Sequence, residues 1–151
     1  MKKSTIWAKA ESLLYNHTKY MTCRDLLLLE YQELQQRGDV KAQSYREHYG
    51  LHTRDPVAEH SERLSRLQSK ILRLDKKIFP VKDLIHELTN PYALDAVYYR
   101  QLLDVLNYIY FGHNPVKETA ALLKITISSI YRRKRKLVKM LIGRAKKLYG
   151  K

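Results

Sequence analysis

Between Thr119 and Lys151 the chain carries eleven basic side chains and no acidic one. Through the same stretch Ile130, Leu137, Val138, Leu141 and Ile142 recur at helical spacing. Such a segment buries its apolar residues only as an amphipathic helix, with one stripe inward and the cations on the other faces. The preceding 118 residues hold 18 basic and 15 acidic side chains, so most of the net +14 belongs to the C-terminal end. A surface of one sign attracts a polyanion and raises its local concentration.

What precedes this helix reads as a helix-turn-helix. Asn114-Pro115 is a helix start: Asn caps free N–H groups, and Pro lacks an N–H where none is needed. A short helix is expected from Pro115 to about Leu123. Lys124-Ile125-Thr126 is the turn, and Thr126 caps the second helix, which begins at Ile127. Val116, Ala120, Leu123, Ile125 and Ile130 form the expected inward set, with the small Ala120 allowing close crossing. Lys124 stands where such turns commonly place Gly, so its backbone must avoid or tolerate a left-handed conformation.

The remainder reads as all-α. Hydrophobic residues make up 44%, with only five Gly and four Pro, which favours a folded, mostly helical chain over a disordered one. Helix one is expected over roughly 4–19, capped by Ser4, with Ile6, Ala10, Leu13 and Leu14 inward. Helix two starts at Thr22, with Asp25 as a capping-box acid. Its Leu26–Leu29 run could form a strand, but the surrounding Arg, Glu and Gln favour helix. Gly38-Asp39 is expected to interrupt it, and residues 50–55 to form a polar linker.

A third helix is expected over about 56–79, ended or kinked by Pro80. Val57, Leu64, Leu67, Ile71, Leu74 and Ile78 fit an a/d heptad, with His60 the one weak position. This stripe either packs on helices one and two of the same chain or forms the seam of a homodimer. Leu64, Leu67, Ile71, Leu74 and Ile78 are the candidate dimerisation residues. After a connecting helix over 81–89, a scaffold helix is expected from Pro91 to about Phe111. Its inward residues would be Leu94, Val97, Tyr98, Leu102, Val105, Leu106 and Ile109, and Gly112 would end it. The expected organisation is an N-terminal helical region over 1–54, a connecting and possible dimerisation helix over 55–85, and a helix-turn-helix domain over 86–151.

Motifs for catalysis are scarce. His86-Glu87 begins like a zinc-protease helix, but Asn90 stands at the second ligand position. His48 and His52 are four apart with Gly50 between them and no third ligand nearby. A single Cys23 cannot build a zinc finger or an intrachain disulfide, and suits a reducing compartment. No Gly-rich phosphate loop is present. No cofactor, no metal and no enzymatic activity are expected. No apolar run approaches the length of a membrane span, and Met1-Lys2-Lys3 leads into no long hydrophobic region, so a cytoplasmic protein is expected.

Tyr99 to Tyr149 resembles the C-terminal domain of the sigma factor region 4 type. Glu118-Thr119-Ala120 and Ile125-Thr126 match that core, and Ile130-Tyr131-Arg132-Arg133 matches the recognition helix. Ser129-Ile130-Tyr131-Arg132-Arg133-Lys134-Arg135 is similar to phage late-gene transcriptional regulators of the RinA, ArpU and LtrC type. Ala10-Glu11-Ser12-Leu13-Leu14-Tyr15 is similar to their start, and so is Arg54-Asp55-Pro56 before a long apolar-periodic helix. Lys124 in place of Gly and the absence of a region 2 argue against a complete sigma factor. The resemblance implies a small activator of phage or satellite late operons in a bacterial host cell. Its implied partners are double-stranded promoter DNA and host RNA polymerase.

By analogy with helix-turn-helix docking, the first half of the 127–148 helix would enter the major groove. Ser128, Tyr131, Arg132 and Arg135 are the candidate base contacts. Asn114, Lys117, Thr126, Arg133, Lys136 and Lys139 are the candidate phosphate contacts. Two other classes stay open. A phage small terminase subunit also joins a helix-turn-helix to an oligomerising helical region, and a ring of subunits would mark it. A nuclease would need clustered acids for a divalent metal, yet no Asp or Glu follows Glu118.

Overall fold

The computed structural model describes the backbone of residues 2–48 and 56–149, with side chains over 5–37 and 57–146. The expected linker over 50–55 and the side chains of His48 and His52 lie outside the described residues. The fold is all-α, and no strand occurs among the described residues. The α-helices are α1 (Lys2–Tyr15), α2 (His17–His48), α3 (Pro56–Leu88), α4 (Ala96–Val105), α5 (Val116–Leu123) and α6 (Ile127–Tyr149). A π-helical segment, Leu106–Phe111, continues α4. No described helix is long and apolar enough to cross a membrane.

Several expected boundaries move. α1 begins at Lys2, so Ser4 lies within the helix and is not its cap. The break after it falls at Asn16, whose side chain donates to the Ser12 carbonyl at 2.9 Å. Thr22 and Asp25 therefore sit inside α2 and open no helix. The Leu26–Leu29 run is helical, and α2 passes through Gly38-Asp39 without interruption. Likewise α3 passes through Pro80, so no separate connecting helix forms. Proline removes one helical hydrogen bond at a cost of about 3 kcal/mol. Here Pro80 is buried, and Ile78, Val81, Leu84 and Leu88 are buried around it. Burial of each such side chain contributes about 1.5–3 kcal/mol, enough together to outweigh the lost bond.

The chain forms two compact units with boundaries unlike those expected from sequence: residues 21–76, and residues 1–20 together with 77–151. In the first unit the Arg24 guanidinium of α2 donates to the Asp75 carboxylate of α3, tying the two helices together. Leu67 and Ile71 are buried within the single chain, and Leu64 is half-buried. Leu74 is also half-buried, and Ile78, which belongs to the second unit, has no exposure. Much of the apolar stripe of α3 is thus covered within the single chain. Among the described residues of the first unit, the large apolar side chains left outward are Leu26, Leu29 and Leu72, none of them in the heptad.

The second unit holds the main core. Ala10 and Leu14 of α1 join Val81, Leu84 and Leu88 of α3 in a cluster with Leu102, Val105, Leu106, Ile109 and Tyr110. Ala120, Ile130, Leu137, Val138 and Leu141 complete it from α5 and α6. Ile6, expected inward, is 45% exposed. The scaffold helix starts at Ala96, five residues later than expected, because Asn90 Oδ1 accepts the Tyr92 N–H at 3.0 Å and holds residues 90–92 in a side-chain turn. Leu94 and Val97 consequently point outward, at 105% and 76% exposure.

Candidate nucleic-acid interface

Three local devices set the start of α6. First, the π-helical end of the scaffold closes tightly. Gly112 N–H donates to Asn107 O at 2.8 Å, and Asn114 Nδ2 donates to Tyr108 O at 2.9 Å. A Cβ on Gly112 would meet Asn114 Nδ2 and Tyr108 O, each at 2.9 Å, so the close approach needs glycine. The left-handed residue is His113, at φ 55°, not Gly112. Asn114 thereby turns back to the π-helical end and makes no cap bond to α5, whose N-cap is Pro115.

Second, Lys124 adopts the left-handed conformation, at φ 57° and ψ 44°. Ile125 N–H then reaches back to Ala120 O at 3.1 Å, a Schellman closure that ends α5. Third, Thr126 Oγ1 accepts the Ser129 N–H at 3.1 Å and caps α6, the bond expected from sequence. Val116, Leu123 and Ile125 pack on the core around buried Ala120 and Ile130, as the inward set required.

The faces of α6 follow from its buried side. Ile130, Leu137, Val138 and Leu141 point into the core. At about 100° per residue, the row opposite them contains Ser128, Arg132, Arg135, Lys136 and Lys139. All five are exposed. Four of these, Arg132, Arg135, Lys136 and Lys139, line a cleft of about 290 Å³ with Tyr98 of α4. No carboxylate lines it, so its cations are unbalanced toward solvent.

The other candidates fall elsewhere. Tyr131, half-exposed, lies on the flank toward α1. Arg133 is turned to the opposite flank, where its guanidinium donates to Gln101 Oε1 at 3.1 Å. It is partly committed to holding α4, which weakens the sequence assignment to a phosphate. Lys117 is exposed on α5, and the Thr126 hydroxyl is engaged at the helix start.

No family model, curated protein or solved structure matches the chain.

Two structural anchors escaped the sequence reading. Lys134 Nζ lies 5.8, 5.5 and 5.6 Å from the ring centroids of Tyr15, Tyr110 and Tyr131. It also donates to Tyr15 Oη at 3.3 Å and lies 4.0 Å from Glu11 Oε2. Cation–π attraction and a carboxylate hold this charge inward, where it fixes α1 against α6. The signal was in the register: Lys134 follows buried Ile130 by one turn, on the core side. Arg144 is the second anchor. Its Nε donates to Glu87 at 2.8 Å and its Nη1 to Asp83 at 2.9 Å, fastening the far end of α6 to α3. Lys134 and Arg144, like Arg133, are therefore engaged in contacts within the fold, whereas Arg132, Arg135, Lys136 and Lys139 of the row stay exposed.

Chemically, this row suits an extended polyanion. Guanidiniums at Arg132 and Arg135 offer planar, forked donors to paired acceptors, while Lys136 and Lys139 act as point charges. A regular helix spaces them along about 10 Å, a length that a groove edge or a phosphate strand can follow.

Proposed function

We propose that this chain is a sequence-specific, double-stranded-DNA-binding transcriptional regulator that uses α6 as its recognition helix. The observation that carries this reading is the acid-free exposed row Ser128, Arg132, Arg135, Lys136 and Lys139, on a helix capped by Thr126 directly after a three-residue turn. Ser128, Arg132 and Arg135 are assigned to base edges, with Tyr131 beside them, and Lys136 and Lys139 to phosphates. Lys117 and the start of α5 supply a further phosphate contact. The resemblance to phage late-gene regulators supports promoter DNA as the target, activation of late genes as the outcome and host RNA polymerase as a second partner.

Titration of labelled duplexes over a range of salt tests the reading. Binding should weaken steeply with salt, with a log–log slope of about −0.9 for each phosphate neutralised. Footprinting across the DNA flanking its own gene should reveal one protected site bound at least about a thousandfold more tightly than random duplex. Salt-insensitive binding, or no binding at low salt, would overturn it.

A further inference from the structure

Arg135 lies between two clefts of different chemistry. On the α4 side is the all-cationic cleft with Tyr98. On the α1 side Arg135 lines a second cleft, of about 400 Å³, together with Trp7, Glu11, Tyr131 and Lys134. α1 is thus the neighbour of the proposed recognition helix along the very stretch that carries its candidate base contacts.

Resting on the DNA-binding reading, we infer that α1 forms a second wall of the duplex-binding surface, with Trp7 and Glu11 meeting the DNA beside Arg135. Continuity is the first argument: the cleft shares Arg135 with the exposed basic row and Tyr131 with the candidate base contacts. Charge is the second. Lys134 and Arg135 outnumber Glu11, whose carboxylate already accepts the Tyr110 hydroxyl at 2.8 Å and faces Lys134. The α1 wall is therefore less cationic than the α4 wall. Phosphates are drawn to the Tyr98 side, and the α1 side meets base edges and deoxyribose. The indole of Trp7 offers a flat apolar face to such groups, and a carboxylate can accept from cytosine N4. Trp7 packs partly on the core and retains a solvent-facing portion for this contact.

Trp7 is the only tryptophan of the chain, so the intact protein reports on the contact directly. Anisotropy of a labelled random-sequence duplex at low salt establishes binding. Tryptophan emission and acrylamide quenching are then followed with the same duplex unlabelled. A shifted emission and a loss of quencher access, saturating at the same duplex concentration as the anisotropy, are expected. Trp7→Ala should lower duplex affinity severalfold while circular dichroism retains the helical signal; should that variant lose its helices, the wild-type quenching decides alone. Duplex binding with unchanged Trp7 emission and access would overturn the role of α1 and leave α6 as the interface. Absence of any duplex binding would overturn both readings.

Discussion

The buried phenol of Tyr110 donates a 2.8 Å hydrogen bond to Glu11 Oε2, joining α1 to a residue 99 positions later. Burial and this bond push the phenol well above its ordinary range, so it remains a donor at any physiological pH. The pair makes α1 part of the C-terminal core.

Leu14 has no exposure, and truncating it should therefore destabilise the unit that carries α6. Leu14→Ala is expected to cost about 2–5 kcal/mol. Tyr110→Phe removes one donor from a partly exposed carboxylate and should cost about 1 kcal/mol. Denaturant titration of the full chain checks both. By the same argument, residues 86–151 alone, which sequence reasoning sets apart as a domain, should show no cooperative unfolding. A sharp transition for that fragment would mean that α1 is dispensable.

His17 supplies a pH dependence. It is 4% exposed, stacks on Phe111 at 5.2 Å, and its Nδ1 is buried without a hydrogen-bond partner. Burial, then the charge of Lys82, lowers its pKa below the ordinary 6.5. Its neutral form is favoured in the fold, so well above pH 6.5, where the unfolded chain is neutral too, the group contributes no pH dependence. As pH falls below 6.5 the unfolded chain takes up the proton first, and stability declines until the folded pKa is passed. His17→Gln should abolish that decline. An equal slope in the variant, measured by thermal melts at a series of pH values, would place the titration elsewhere.

Lys124 holds a left-handed backbone that costs a non-glycine residue about 1–2 kcal/mol. Lys124→Gly should raise the melting temperature, whereas Lys124→Val, with a β-branched side chain at φ 57°, should lower it. A loss of stability in the glycine variant would show that the lysine side chain makes a compensating contact.

Arg132 and Arg133 should separate cleanly. Arg132 is exposed on the row, and Arg132→Ala should cost about 1–3 kcal/mol on the preferred DNA site, with relaxed preference at one base pair. Arg133 is bonded to Gln101, so Arg133→Ala should lower stability by about 0.5–1.5 kcal/mol and change the salt slope less than Lys136→Ala does. Titrations of the three variants on operator and scrambled duplexes discriminate. Equal effects of Arg132→Ala on both DNAs would move it from base to phosphate.

The sequence by itself determined the all-α class, the end of α5 and the start of α6, the Thr126 cap and the apolar face of the basic helix. Those features are local: a cap, a turn and a 3.6-residue period are set within a few residues of one another. It misplaced the break near residue 20, the helix end at Pro80 and the inward positions Leu94 and Val97. At Pro80 the propensity rule was sound, and burial of surrounding apolar side chains outweighed it. Only the tertiary structure decided that α1 belongs with α6. No periodicity relates Glu11 to Tyr110, or Tyr15 to Lys134, because those pairs meet through packing between segments about a hundred residues apart. The candidate site divides the same way. Its exposed row was legible from the helical register, whereas the flanking Trp7 and Tyr98, and the withdrawal of Lys134, Arg133 and Arg144 into structural contacts, depended on which helices pack beside α6.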